Sequence, residues 1–196
     1  MLLTYVWFNS YRQLQAAKAD ALAKVKNDAN NYARIIAEHT ARTIHSADQV
    51  SIFLANRYNE TDSTLDLREY AQNGAFLGDM VNQISIIDAN GDLLQSNLPV
   101  QKVNLSDREH FRVHINEDSG RLFISKPVLG RVSKKWSIQM TRRANLHDGN
   151  LHGVIVVSID PFYFTHFYQE LNLGNSGLVT IVRQDGGMDD WASAEK

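Results

Sequence analysis

The sequence predicts an α+β chain: a long N-terminal helix packed on one face of an antiparallel sheet. Three observations point there. From about Asn9 to Tyr58 there is no Pro and no Gly, and apolar or small residues recur at a step near 3.6. Behind that stretch come short alternating or apolar runs at Leu122–Val128, Lys135–Arg142 and Leu151–Ile159, which read as strands. Between the two parts, turn-forming Asn90-Gly91 and His147-Asp148-Gly149-Asn150 join neighbouring runs closely enough for hairpins.

Composition narrows the function classes. The chain has 196 residues with 43% hydrophobic and 21% charged, sufficient for one packed core. Its net charge of -2, with Lys and Arg scattered, leaves no basic face for nucleic acid. The absence of cysteine excludes disulfides, thiolate metal sites and a Cys nucleophile.

Along the helix, the inward stripe is Leu14, Ala17, Ala21, Val25, Ala29, Tyr32, Ile36, Thr43, Ala47, Val50 and Leu54. Fifty helical residues reach roughly 75 Å, more than a domain's width. The first half is therefore expected to project, as a weak homodimer stalk, and the second half to lie along the sheet. Met1 to Phe8 is an apolar run, and its Tyr5 and Trp7, followed by Tyr11 and Arg12, form an aromatic and basic border of the kind found where a helix leaves a bilayer. About 20 apolar residues are needed to span, so 1–10 is read as the remnant of a transmembrane helix. Residues 11–58 form the long helix, 59–173 one module, and 174–196 the start of an incomplete second module followed by a loose tail. Its LVTIVRQDG echoes ISIIDANG of the first hairpin.

Within the module, Leu65–Gln72 is expected to be a short helix and Gln83–Ser96 a hairpin whose Asn90-Gly91 takes positive φ. Ser106-Asp107-Arg108-Glu109 fits a capping box, which would start a helix ending near Asn116. Trp136, Ile138 and Met140 should face the long helix, and Ser137, Gln139 and Thr141 the opposite side. Val154–Val157 is apolar on both faces, so its strand is central. Phe162–Leu171 follows Pro161 as a helix.

The block SDREHFRVH, GRLFISKPVLGRVSKKWSIQMTRR and GVIVVSIDP, together with EHTARTIHSADQV upstream, resembles the membrane-distal half of double Cache domains. These are PAS-like extracytoplasmic sensors of diguanylate cyclases, phosphodiesterases, histidine kinases and chemoreceptors. The resemblance implies a periplasmic sensor module of an inner-membrane signalling protein, with a ligand on the sheet face opposite the helix. Arg108-x-His110-Phe111 stands where amino-acid-sensing members carry Arg-x-Trp-Tyr, so it implies that Arg108 meets a ligand carboxylate. Where those members place an Asp for the ligand's ammonium, this chain has Ser158. An organic anion is therefore expected in place of an α-amino acid.

The remaining expected site residues are His110, Phe111 and Phe123 as walls, with Ser125, Gln139 and Ser158 as convergent polar groups. Plainer alternatives stand beside these roles: Arg108 paired with Asp107, Glu109 or Glu117 at the surface, and the polar strand face simply solvated. His110 and His114 are spaced i, i+4 but no third ligand follows, so no metal is expected. No nucleophile–base motif or cofactor fingerprint is visible, which leaves a non-enzymatic ligand sensor as the expected function. A ligand-free dimerisation or protein-interaction module of a membrane-anchored receptor is its rival.

Overall fold

The computed structural model describes residues 2–60, 65–72, 78–99 and 102–169. Helix α1 spans Leu2–Glu60 without interruption, as expected of a stretch free of Pro and Gly. The chain divides into two compact units, Met1–Arg42 and Thr43–Lys196. In the first, residues 3–31 are exposed on every side of the helix, including Leu14 and Val25 of the expected stripe. Trp7 stacks on Tyr11 with ring centroids 5.9 Å apart, and Arg34 pairs with Glu38 one turn on at 3.3 Å. No helix among the described residues is long and apolar enough to cross a membrane.

The second unit contains the sheet. After α2 (Leu67–Gln72) come β1 (Val81–Asp88), β2 (Leu93–Ser96), α3 (Glu109–Asn116), β3 (Phe123–Leu129), β4 (Trp136–Asn145), β5 (Leu151–Ile159) and α4 (Pro161–Gln169). All strand pairs are antiparallel, in the order β2-β1-β5-β4-β3. Residues 174–196, expected to begin a second module, lie outside the described residues.

Strand β5 is central because its sequence permits nothing else. Gly153 to Ile159 are all buried, so both faces must be covered and both edges paired. On the back face, Ile155, Val157 and Ile159 align with Ile84 and Ile86 of β1 and Ile138 and Met140 of β4. Against this layer the last turns of α1 bury Thr43, Ala47, Ser51, Leu54, Ala55 and Tyr58. One half-buried charge ties the two layers. Arg142 on β4 donates to Asp48 and, at 3.1 Å, to the Ser51 hydroxyl, both on α1, and also to the Gly120 carbonyl at 2.8 Å. Tyr58 stacks on His152, whose ring nitrogen meets Asn59 at 2.9 Å.

Three local expectations need correction. Ser106 does not cap α3: the N-cap is Arg108, with no side-chain cap bond. The Ser106 hydroxyl donates instead to Asn104 at 2.6 Å, because an Asx turn two residues upstream offers a nearer acceptor. In the hairpin only Gly91 has positive φ, at 88°. Asn90 is held by its amide donating to Asp88 at 2.9 Å, so the Asp side chain does the work assigned to a primed turn. Trp136, expected in the core, is 55% exposed at the end of β4, whereas Ile138 and Met140 are buried as expected.

Gly153 marks a close approach of β5 to both its neighbour strand β1 and helix α1. A Cβ there would lie 2.5 Å from the Ile87 carbonyl oxygen and 3.2 Å from the Tyr58 ring. Backbone cannot yield as a flexible side chain does, so Gly153→Ala should cost about 1–3 kcal/mol. Urea denaturation measures this, and an unchanged midpoint would contradict the close packing of Tyr58 on β5.

Candidate ligand site on the front face of the sheet

The front face differs in chemistry from the back. Its central positions are Gln83 and Ser85 on β1, Gln139 and Thr141 on β4, and Val154, Val156 and Ser158 on β5, in register across the three strands. All are buried. Polar groups so placed must find partners. The Ser158 hydroxyl donates to the Gln139 side-chain oxygen at 2.7 Å, and Gln83 donates to Ser96 at 3.0 Å. The Gln139 backbone N–H donates to the Ser125 hydroxyl at 3.0 Å, and that hydroxyl donates to the Lys126 carbonyl at 2.6 Å.

Helix α3 covers one half of this face. It turns His110, Phe111 and His114 inward, and Phe111 packs with Ile87, Leu105, Val154 and Val156 as an apolar cluster. Thr141 donates its hydroxyl proton to the His110 carbonyl at 3.1 Å. Its oxygen therefore accepts from His114 Nε2 at 2.9 Å, which assigns the Nε2–H tautomer to His114. Arg143 donates to the His114 carbonyl and, at 2.6 Å, to Asn145, closing the C-terminal end of the helix.

Over the other half lies a cavity of about 30 Å³, room for one or two water molecules. Its floor is Gln83, Ser85, Gln139, Val156 and Ser158; Leu105, Arg108 and His110 wall it, and Gly130, Arg131 and Val132 of the β3–β4 turn roof it. Arg108 donates to the Leu129 carbonyl at 2.6 Å, while its Nε is buried with no partner among the described residues. Arg131 makes a two-pronged ion pair with Asp107, at 2.7 and 2.6 Å. Among the described residues the lining thus carries two guanidinium groups and no carboxylate.

Of the residues singled out in the sequence, the cavity brings together Arg108, His110, Gln139 and Ser158. Ser125 lies just behind, oriented on Gln139. Phe111 is committed to the apolar cluster, and Phe123 stands edge-on to His114 with centroids 6.3 Å apart; neither lines the cavity. Gln83, Ser85 and Arg131 line it without having been singled out. Arg108 does not use the acidic neighbours Asp107, Glu109 or Glu117 as hydrogen-bond partners.

Comparison with known structures defines the class first. No family model matches the sequence, and no curated protein matches it. The fold is that of the Cache-like, PAS-related extracellular sensor domains of histidine kinases and chemoreceptors. The extracellular domain of rpHK1S-Z16, assigned as a histidine kinase, superimposes with a TM-score of 0.72 at 30% identity over 81% of this chain; this chain spans 66% of that one. The ligand-binding domain of the Campylobacter jejuni chemoreceptor Tlp3, in complex with L-valine, gives 0.58 at 14% identity, covering 85% of this chain and 70% of that one. That of the Pseudomonas aeruginosa amino-acid chemoreceptor PctC, in complex with GABA, gives 0.53 at 14% identity, covering 81% and 74%. These neighbours are sensor domains, not catalytic ones.

Both front-face imidazoles are held neutral, with pKa values lowered to about 4. Burial is the first cause in each; Arg108 adds to it at His110, and Arg143 at His114. An unfolded His titrates near 6.5. Between that value and 4 the unfolded chain binds more protons than the folded one, so stability is complete above about pH 6.5 and falls as the pH drops through this window. At about 1.4 kcal/mol per pKa unit, the loss by pH 5 should be about 1–2 kcal/mol per histidine. Urea unfolding at pH 7.5 and pH 5 measures it. His114→Gln, which can still donate to Thr141, should roughly halve the dependence and leave the share of His110; a slope unaltered by that change would contradict the assignment.

Proposed function

We propose that this chain is the extracytoplasmic sensor portion of a membrane-anchored signalling receptor, not an enzyme, and that it binds a small organic anion on the front face of its sheet. One observation carries the reading: a cavity floored by buried neutral polar groups and bordered by two guanidinium groups, one of which, that of Arg108, has a buried Nε–H with no partner among the described residues. A buried donor without an acceptor costs free energy until a ligand supplies one. A carboxylate fits that need with charge-assisted hydrogen bonds. The Tlp3 and PctC domains are described with L-valine and GABA, each of which brings an ammonium group as well as a carboxylate. Here no carboxylate among the described residues lines the cavity and Ser158 offers only a hydroxyl, so an anion lacking an ammonium group suits the site better.

Binding requires room. Small-molecule sites are usually several hundred cubic ångströms, so a bound state would have α3 or the β3–β4 turn moved outward. That motion would reach α1 through the contacts of Arg142 with Asp48 and Ser51. Only a ligand that binds the two arrangements unequally can drive it. The smallness of the cavity favours one rival, a ligand-free dimerisation module using the exposed first half of α1.

A thermal-stability screen of carboxylates against α-amino acids separates the two readings. The sensor reading expects carboxylates to raise the melting temperature. Silence across both classes, with a concentration-dependent dimer, would favour the rival. For the strongest hit, calorimetry on Arg108→Ala should show at least a tenfold loss of affinity; equal affinity would remove Arg108 from the site.

A further inference from the structure

The roof of the cavity is fastened from outside. Arg131 Nη1 and Nη2 grip the two carboxylate oxygens of Asp107, and Nη1 also donates to the Asn104 carbonyl at 2.9 Å. Gly130 donates to the Lys135 carbonyl at 2.9 Å and Lys134 to the Gly130 carbonyl at 3.2 Å, so the turn is internally braced and would lift as a unit. The Arg131 and Asp107 side chains are 39% and 61% exposed. An ion pair so wet holds weakly. The Arg131 side chain also borders the cavity, where Arg108 is the other cation.

We infer that Arg131 is a second anion-contacting residue of this site, and that it exchanges Asp107 for the charged group of the ligand as the roof lifts. In the empty site Asp107 neutralises Arg131 and holds the turn down over the floor. An anion between Arg108 and Arg131 meets two cations with less access to water, where opposite charges attract more strongly. Asp107 then returns to solvent. Competition between the two anions sets the threshold concentration for binding, and makes Asp107 an inhibitory residue that never touches the ligand. The inference rests on the anion-binding reading above.

Acetate, the smallest carboxylate, serves as probe in calorimetry at pH 7.5 with the whole chain and its variants. Asp107→Asn should bind acetate about two- to fivefold more tightly than the unaltered chain, because the exposed pair no longer competes. Arg131→Gln should bind about tenfold more weakly, having lost a charged donor. The double variant should match Arg131→Gln, since Asp107 acts only through Arg131. If both single variants shift affinity the same way, or the gain from Asp107→Asn persists without Arg131, the exchange is overturned and the anion site stands. If acetate binds none of the four proteins, the exchange fails together with the site it rests on.

Discussion

The arrangement depends on strand β5 being paired on both edges and covered on both faces. Gly153 to Ile159 leave no residue free for solvent, so the chain must supply two different covers. The back cover is α1, whose small residues Ala47 and Ser51 let the helix sit close, with Arg142 satisfied by Asp48 and Ser51. The front cover is α3 with the β3–β4 turn. Because the front positions of β1, β4 and β5 are largely Gln, Ser and Thr, that cover cannot be wholly apolar. It is apolar where Phe111 meets Val154 and Val156, and polar where Arg108 and Arg131 meet Gln139 and Ser158. The cavity lies in the polar half.

That division assigns distinct work to each part. Phe111, His110 and His114 fasten α3, with both imidazoles kept uncharged by burial beside arginines. The arginines at the other end are only half spoken for: Arg108 has an Nε–H with no partner among the described residues, and Arg131 is held by a carboxylate exposed to water. In the proposed reading, these two cations are what an anion would meet. Strand β4 carries Gln139 at the cavity and Arg142 against Asp48 and Ser51 of α1, the route by which the proposed reading would couple front to back.

Much of the fold was legible in the sequence because its signals are periodic. The 3.6 step identified α1, the apolar run Val154–Val157 identified the central strand, and Gly149 with φ of 84° closes the turn expected there. Where a residue's role is set by competition among neighbours, local pattern misled. Ser106 has the spacing of a cap, yet Asn104 takes its hydroxyl. Gln83 and Ser85 alternate with Ile84 and Ile86 as a solvated strand face would, and only the tertiary cover makes them buried. Arg131 lies in the aperiodic RVSKK turn; its place over the cavity follows from the β3–β4 register, which no local motif encodes. Phe111 was legible as an inward aromatic, but whether it meets a ligand or core depends on Leu105 and Ile87 arriving from elsewhere.

The central claim is that the front-face guanidinium groups receive an anion, and the Arg108 Nε–H is its most direct reporter. In a ¹H–¹⁵N NMR titration with acetate and larger carboxylates, the Arg108 Nε–H resonance should shift in a saturable manner, with the backbone amides of Gly130–Val132 following at the same midpoint. A saturable response confined to other surfaces, with the Arg108 resonance unmoved, would contradict the account.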